Sequence, residues 1–119
     1  MFYFLKVYPN DKVFVGIPDR LDWFQSKQNC ERLGWKLVSA ESPSLLDRTK
    51  TLMQHKDFWL GAYKESSGVW RWLSGVLMSP SPFENDHDQH TNKYALFYGG
   101  MLDDADWHYA NMHVCEITF

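Results

Sequence analysis

The chain has 119 residues, of which 45% are hydrophobic and 17% aromatic, and its net charge is −3. This composition predicts one globular domain over residues 1–119, and the lack of a basic block argues against nucleic acid as a partner. No apolar run approaches the roughly 18 to 20 residues that a membrane-spanning helix needs, so we expect no membrane span in this chain.

The first predicted elements are a strand and a capped helix. Residues 11–18 (DKVFVGIP) alternate apolar side chains and end in a glycine and a proline, which indicates a strand. A helix is predicted over residues 22–34, because Asp22 can cap its start, Gln25 supplies the partner of a capping box and Gly34 provides a stop.

A second helix follows a short extended segment at residues 35–41. Ser42 suits the N-cap of a helix over residues 42–55, and Pro43 suits its first position. One face of this helix is apolar at helical spacing, and it consists of Leu45, Leu46, Thr49, Leu52 and Met53. We expect that face to pack against the core.

Beyond the second helix, the pattern changes to short strands separated by turns. Strands are predicted at residues 58–63, 69–73, 94–98, 105–109 and 112–119. Residues 74–93 are predicted to form a long loop rich in Ser, Pro, Asn, Asp and His, and a loop of that length in a compact domain is usually functional or mobile. The order of elements predicts an α+β fold, with two helices packed on antiparallel sheets and one long loop region.

Three tryptophans lie close together in WLGAYKESSGVWRWLSG, residues 59–75. They could form a platform for a ligand, or they could belong to two core strands that meet at a turn. Alternation places Trp70 and Trp72 on one face of a strand and Arg71 on the other. This pattern favours the core interpretation, and we extend it to Trp59.

The chain has two cysteines, Cys30 and Cys115. Neither a Cys-x-x-Cys pair nor the Cys-His spacing of a zinc site occurs. From the residues alone, the two are either buried thiols or a disulfide. A disulfide would add about 4 kcal/mol to the stability, and it would require an oxidising compartment.

Several short segments occur in an order that is typical of one known family. They are Trp23 and Cys30 in the first helix, LGWKLVS (33–39), WLGA (59–62), VWRWLSG (69–75), Trp107 and VCEI (114–117). In this order they resemble the C-type lectin-like domain, over residues 12–119. The resemblance implies a Cys30–Cys115 disulfide, a buried Trp107 and an extracellular location, either secreted or in a receptor ectodomain. It also implies a role in cell recognition or innate immunity.

The resemblance further implies a second disulfide that pins the long loop, and this chain lacks the cysteines for it. Tyr94 stands near one of the two expected positions, and residues 108–113 offer no cysteine for the other. We therefore expect the loop to be held less by covalent bonds, unless packing by Tyr94 or Phe97 substitutes.

In the sugar-binding members that this chain resembles, calcium lies between the long loop and the neighbouring strands. Its oxygen ligands come from a Glu-Pro-Asn or Gln-Pro-Asp triplet, a later acidic residue, and an Asn-Asp pair after a tryptophan. Here Glu84, Asn85 and Asp86 occupy the triplet region without the proline, and a cis peptide without proline would cost about 3 kcal/mol. The neutral Asn92 falls near the later acidic position.

The Asn-Asp pair of that calcium site is also missing. Trp107 is followed by His108 and Tyr109, whose imidazole and phenol are poor ligands for calcium. We therefore expect no required cofactor and no calcium at the usual site. The oxygens of residues 84–86 remain the candidate ligands if calcium does bind.

A ligand can also be bound without a metal ion. Tyr98, His108 and Tyr109 lie in or beside strands that border the long loop, and exposed aromatic side chains with one polar end suit contacts with a glycan or a protein. The candidate ligand-binding residues are therefore Glu84, Asn85, Asp86, Asn92, Tyr98, His108 and Tyr109.

The Asp- and His-rich segments allow further interpretations. His87 and His90, with Asp86 and Asp88, could bind zinc or copper, although we expect a solvated loop. DDAD, residues 103–106, could hold calcium, although we expect a turn with solvated carboxylates. A hydrolase that uses these segments would lack a nucleophile beside a base, a phosphate-binding loop and a known metal-ligand spacing.

The expected function is an extracellular, non-enzymatic recognition domain that binds a glycan or a protein without the usual calcium bridge. The alternative is a calcium-dependent carbohydrate-binding lectin with an altered triplet. Either would be compatible with a homodimer or a heterodimer.

Overall fold

The computed structural model describes residues 4–8, 12–78 and 92–118. Within these ranges the chain forms two helices and eight strands. In chain order they are β1 (Phe4–Tyr8), β2 (Lys12–Leu21), α1 (Trp23–Arg32), β3 (Lys36–Leu37), α2 (Pro43–Leu52), β4 (Phe58–Lys64), β5 (Trp70–Trp72), β6 (Tyr94–Tyr98), β7 (Met101–Ala105) and β8 (Asn111–Thr118).

One sheet joins these strands in the order β1-β2-β8-β4-β6-β7, with β3 paired to β8 and β5 paired to β4. The sequence patterns missed β1, which pairs antiparallel with β2. The α+β fold with two helices is confirmed, but the expected antiparallel arrangement is wrong at one pair. Strands β4 and β8 run parallel, through Phe58↔Met112 and Trp59↔His113. A parallel pair needs a long crossover, which β5, β6 and β7 supply here, and local alternation does not encode that pairing.

The caps of α1 are those that the sequence predicts. The side chain of Asp22 accepts a hydrogen bond from the N–H of Gln25 at 2.7 Å, and the Gln25 side chain accepts from the N–H of Asp22 at 3.2 Å. At the other end, Gly34 has a φ of +81°, and the N–H of Trp35 donates to the carbonyl of Cys30 at 2.9 Å. Such an end requires the left-handed conformation that glycine adopts freely.

Helix α2 begins as predicted and ends earlier than residue 55. The hydroxyl of Ser42 accepts a hydrogen bond from the N–H of Leu45 at 3.2 Å, which caps the start. The helix ends at Leu52 because Gln54 and His55 have left-handed φ values of 55° and 60°.

The strands divide their buried side chains between two core clusters, one on each face of the sheet. Trp70 and Trp72, each 3% exposed, belong to the cluster that contacts α2, and Trp59, fully buried, belongs to the cluster that contacts α1. Arg71 lies half-buried between Trp70 and Trp72. The core interpretation of the tryptophans is confirmed.

Gly61, in the WLGA segment, allows two backbones to approach closely. Its N–H donates to the carbonyl of Val38 at 2.7 Å. A Cβ atom at this position would lie 2.5 Å from the carbonyl oxygen of Leu37 and 2.6 Å from that of Val38. A side chain would therefore push β4 away from residues 37–38, so this glycine serves packing and not a turn.

Strands β6 and β7 form a hairpin that the sequence patterns overlooked. Gly99 and Gly100 both have positive φ values, 60° and 79°, and they connect strands in which Tyr98 pairs with Met101. Two consecutive positive φ values are what a two-residue hairpin turn requires, and Gly-Gly is one of its sequence signals.

The hairpin moves the following strand away from its predicted position. The strand predicted at residues 105–109 is wrong, because β7 ends at Ala105 and residues 106–110 form the turn into β8. The predicted turn at DDAD is likewise wrong, since residues 103–105 belong to β7.

Trp107 is not in the core, contrary to the expectation from the resemblance. It is 45% exposed because it lies in the turn before β8 and not in a strand. Its carbonyl accepts a hydrogen bond from the N–H of Trp23 at 2.9 Å, and its ring contacts that of Phe24 at a centroid distance of 5.8 Å. These contacts join the turn to the start of α1.

Cys30 and Cys115 form a disulfide, with Cα atoms 5.6 Å apart. Both residues are fully buried, and the bond joins α1 to β8. The pairing implied by the resemblance is thereby confirmed.

Candidate ligand-binding site

Part of the predicted site falls outside the described residues. Glu84, Asn85 and Asp86 lie there, as does the alternative His/Asp cluster of residues 86–90. Asn92 is described, and it lies half-buried just before β6. The site can therefore be built only from β6 onwards.

A cavity of about 330 Å³ lies at the β6–β7 hairpin, the start of β8 and the turn between β7 and β8, and we call it the hairpin pocket. Tyr98 and Tyr109, which are 61% and 54% exposed, both line it. Its volume is at the lower end of the range of about 300–1,000 Å³ that is typical of small-molecule sites. Its described lining consists of Leu96, Tyr98, Asp103, Asp104, Ala105, Tyr109, Ala110 and Asn111.

Strand register determines which polar groups share the pocket with the two tyrosines. Leu96 pairs directly with Asp103 across β6 and β7, so their side chains project from the same face. Oδ1 of Asp103 accepts a hydrogen bond from the N–H of Asp104 at 2.8 Å, which orients the carboxylate. Asn111, at 9% exposure, adds an amide from β8. The sequence patterns missed Asp103 and Asn111 as pocket residues because β7 and the turn before β8 were predicted wrongly, although β6 lies at its predicted position.

The turn between β7 and β8 holds Tyr109 in place from two sides. The ring of His108 stacks on that of Tyr109, with centroids 4.4 Å apart and 28° between the planes. Nδ1 of His108 lies 3.2 Å from Oδ2 of Asp106. From the core, Nε1 of Trp59 donates to the carbonyl of Tyr109 at 3.2 Å. His108 thus supports the pocket without being part of its lining.

Tyr94 packs where the resemblance implies a cysteine. Its ring centroid lies 4.5 Å from that of Trp23 and 5.3 Å from that of Phe24. Burial, and then the carboxylate of Asp106, raise the pKa of the Tyr94 phenol. The ring is therefore neutral, and it packs the start of β6 against α1.

A wider depression of about 630 Å³ lies along α1, and its described lining consists of Leu21, Gln25, Gln28, Glu31 and Arg32. Four of these five side chains are long, polar and carried by a single helix, and none is aromatic. Such side chains prefer water to a ligand of low polarity, and their ordering would cost conformational entropy. We therefore regard the hairpin pocket as the better candidate.

The family follows from the sequence as a whole. The protein-family model of the lectin C-type domain matches residues 19–117. This chain belongs to the lectin C-type domain family. The matched range of this lectin C-type domain includes both cysteines and the whole described lining of the hairpin pocket.

The lectin C-type domain has a human relative, C-type lectin domain family 1 member B. The two are 25% identical over 111 residues, which cover 92% of this chain and 48% of the human protein. The chain therefore spans about half the length of that relative.

Solved structures share the fold of this lectin C-type domain at low sequence identity. Herring type II antifreeze protein has a TM-score of 0.81 and 18% identity, with 98% of this chain and 97% of that one covered. The carbohydrate-recognition domain of cow CD23, crystallised in the presence of a GlcNAc2Man3 oligosaccharide, has a TM-score of 0.82 and 20% identity, with coverages of 98% and 94%. At these identities the likeness demonstrates the fold alone.

Neither α1 nor α2, the helices in the described part of this lectin C-type domain, is long and apolar enough to cross a membrane.

Among the described residues, one group of three potential metal ligands lies close together, with its ligand atoms within 4.8 Å of one another. It comprises Cys30, His113 and Cys115, and the two sulfur atoms are bonded to each other. His113 is fully buried, and its Nε2 lies 3.1 Å from the side-chain nitrogen of Asn29. Burial lowers the pKa of His113 to about 4, and Asp19 offsets this lowering in part. The imidazole is therefore neutral near pH 7.

Because it is buried in the neutral form, His113 makes the lectin C-type domain sensitive to acid. Its pKa is about 4 when folded, against an ordinary value of 6.5, so the unfolded chain binds the proton first as the pH falls. The stabilisation is complete above pH 6.5 and is lost between pH 6.5 and pH 4, in total about 3 kcal/mol. Urea unfolding at pH 6.5 and at pH 4 measures the effect. Between these values, the free energy of unfolding of the wild type should fall by about 3 kcal/mol more than that of His113→Gln. Equal losses in the two proteins would contradict the expectation.

Proposed function

We propose that this chain is an extracellular, non-enzymatic recognition domain of the lectin C-type family, folded as one domain over residues 1–119. It binds a glycan, or a segment of a protein, in the hairpin pocket and without the usual calcium bridge. The observation that carries the proposal is a cavity of about 330 Å³ with two exposed tyrosines, Tyr98 and Tyr109, in its lining.

The chemistry of the hairpin pocket suits a saccharide ring better than an extended peptide. Tyrosine rings offer apolar faces for the C–H groups of a sugar, and each keeps a hydroxyl for a hydrogen bond. The carboxylate of Asp103 and the amide of Asn111 can accept hydrogen bonds from sugar hydroxyls. Leu96 adds an apolar surface at 3% exposure. The carbohydrate-recognition domain of cow CD23, crystallised with an oligosaccharide, supports the same ligand class.

Binding without covalent chemistry is the role that this lining favours. Its described residues include no Ser, Cys, Lys or His, and its two carboxylates, Asp103 and Asp104, are consecutive on β7 and so project to opposite faces of the strand, unlike a carboxylate pair that flanks a glycosidic bond. The Cys30–Cys115 disulfide supports an oxidising and hence extracellular compartment, since such bonds are rare in the cytosol. Domains of this family are usually secreted or part of receptor ectodomains, which supports the same location.

The alternative is a calcium-dependent lectin, and one observation favours it. Asp103 and Asp104 are consecutive in β7 and both line the hairpin pocket, and carboxylate oxygens are the ligands that calcium prefers. Calcium, however, takes six to eight oxygen ligands. Apart from the two tyrosine hydroxyls, the described lining offers side-chain oxygens only from Asp103, Asp104 and Asn111. We therefore retain the metal-free mode as the proposal.

The test is glycan binding by single variants in the presence of calcium and in the presence of a chelator. A glycan array identifies the best ligand, and titration then gives its affinity for the wild type, Tyr98→Ala and Tyr109→Ala. Each tyrosine variant should bind about tenfold more weakly, as expected for the loss of a central aromatic contact. Met101→Ala is the matched control, because Met101 is 70% exposed, pairs with Tyr98 across the hairpin and does not line the pocket.

The chelator decides between the two modes of binding. Affinity that is unchanged by the chelator supports the proposal, and affinity that disappears with it would replace the proposal by the calcium-dependent alternative. Tyrosine variants that bind like the Met101→Ala control would exclude the hairpin pocket as the site.

A further inference from the structure

The hairpin pocket is acidic and has no basic residue in its described lining. Two of the eight described residues that line it are Asp103 and Asp104, and none of these eight is Lys, Arg or His. The strands and the turn that build it come from residues 94–119, a segment with four acidic residues and no Lys or Arg. A cation that enters this pocket therefore meets the carboxylate of Asp103, and no ammonium or guanidinium group among the described lining residues competes for it.

The aromatic rings of the pocket are a second feature that favours a cation. Tyr98 and Tyr109 line the cavity from β6 and from the turn before β8, and both are more than half exposed. The face of a tyrosine ring carries negative charge density, and it attracts an ammonium or guanidinium group within about 6 Å. A neutral sugar gains nothing from this electrostatic attraction.

Asp103 is placed to accept a hydrogen bond from such a cation. Its side chain projects from the same face of the hairpin as Leu96, and the N–H of Asp104 orients its Oδ1 at 2.8 Å. Hydrogen bonds between a positively charged N–H group and a carboxylate are about twice as strong as those between neutral groups. The carboxylate and the two rings thus combine a charged acceptor with two π faces.

We propose that the hairpin pocket selects ligands that carry a free ammonium or guanidinium group. The group belongs to an amino sugar with an unacetylated amine or to the side chain of a lysine or arginine. This inference rests on the proposed function, since it names the chemistry of the ligand for the same site.

The experiment compares ligands whose amine is either free and charged or acetylated and neutral. In the presence of a chelator, the wild type is titrated with methyl glucosaminide and with its N-acetylated form, and the binding site is located by chemical-shift changes of the pocket amides. A second arm uses the methylamide of Nα-acetyl-lysine and its Nε-acetylated form, which distinguishes a peptide source of the cation from a sugar source. In at least one arm, the amine should bind about tenfold more tightly than the acetylated form near neutral pH and low salt.

Asp103→Asn keeps the shape of the side chain and its acceptor for the N–H of Asp104 while it removes the charge. It should reduce the tenfold preference to within about twofold, because the amine loses its charged acceptor and therefore loses more affinity than the N-acetylated sugar does. Asp47→Asn is the control, because Asp47 is an exposed acidic residue in α2, away from the pocket, and it should keep the full preference.

The possible failures can be told apart. Equal binding of amine and acetylated form in both arms, or a preference that survives in Asp103→Asn, overturns the inference. In that case, the proposed function is still supported if Tyr98→Ala weakens sugar binding. Ligands that bind without shifting the amides of the pocket overturn both.

Discussion

Replacing Trp59 by alanine will lower the free energy of unfolding by about 3–5 kcal/mol, the usual cost of truncating a fully buried large aromatic side chain. Trp59 is fully buried in the core cluster on the α1 side of the sheet. Its Nε1 also lies within hydrogen-bond distance of two carbonyl oxygens, at 3.0 Å from Leu21 and 3.2 Å from Tyr109. The alanine variant leaves a cavity and removes the donor for both carbonyls. Urea unfolding monitored by far-ultraviolet circular dichroism measures the loss.

Two further variants divide this loss into its causes. Trp59→Phe fills much of the cavity but removes the donor, so it should cost about 1–3 kcal/mol, the penalty for buried acceptors without a partner. It should also weaken glycan binding, because the carbonyl of Tyr109 would no longer be held. Trp107→Ala removes a tryptophan that is 45% exposed, and it should cost clearly less than Trp59→Ala. If the two alanine variants proved equally destabilising, Trp59 would not have the core role that its burial indicates.

Local patterns predicted the elements whose causes are local. The capping box of Asp22 and Gln25 and the serine cap of α2 depend on residues a few positions apart, and both helices begin as predicted. The inward orientation of Trp70 and Trp72 depends only on alternation along one strand, and it is confirmed. In these cases the sequence contains all the information that the local structure uses.

The features that were predicted wrongly depend on contacts between distant segments. The parallel pairing of β4 with β8 becomes visible only after three intervening strands have been placed. The hairpin turn, in contrast, has a local signal in the sequence. That signal is Gly99-Gly100, and the strand prediction did not use it. Without that turn, β7 is displaced and Asp103 falls in a turn, whereas the buried position expected for Trp107 came from the resemblance.

The candidate site shows the same division. The sequence predicts Tyr98 and Tyr109 as binding residues, since exposed aromatic side chains suit ligand contacts, and both line one cavity. It does not predict Asp103 as their acidic partner, because only the register of β6 with β7 brings Asp103 opposite Leu96. Sequence patterns can thus identify residues that are chemically suited to binding, whereas their assembly into a pocket requires the register of the strands.

Removing the disulfide by Cys30→Ala with Cys115→Ala will lower the free energy of unfolding by about 4 kcal/mol. The cysteines are 85 positions apart, so the bond closes most of the chain into a loop and restricts the unfolded state strongly. The double variant avoids the unpaired thiol that a single substitution would leave. Urea unfolding of the wild type with a thiol reductant should show a similar loss, and the reductant should have no effect on the double variant.

The binding measurements then separate stability from function. The disulfide lies in the core cluster on the α1 side of the sheet, and Cys115 is not part of the described lining of the hairpin pocket. The folded fraction of the double variant should therefore bind its glycan with the affinity of the wild type, at a temperature low enough to keep it folded. An unchanged free energy of unfolding would contradict the role of the bond. A folded variant with lost affinity would mean that α1 and β8 must be joined covalently to hold the turn that carries Tyr109.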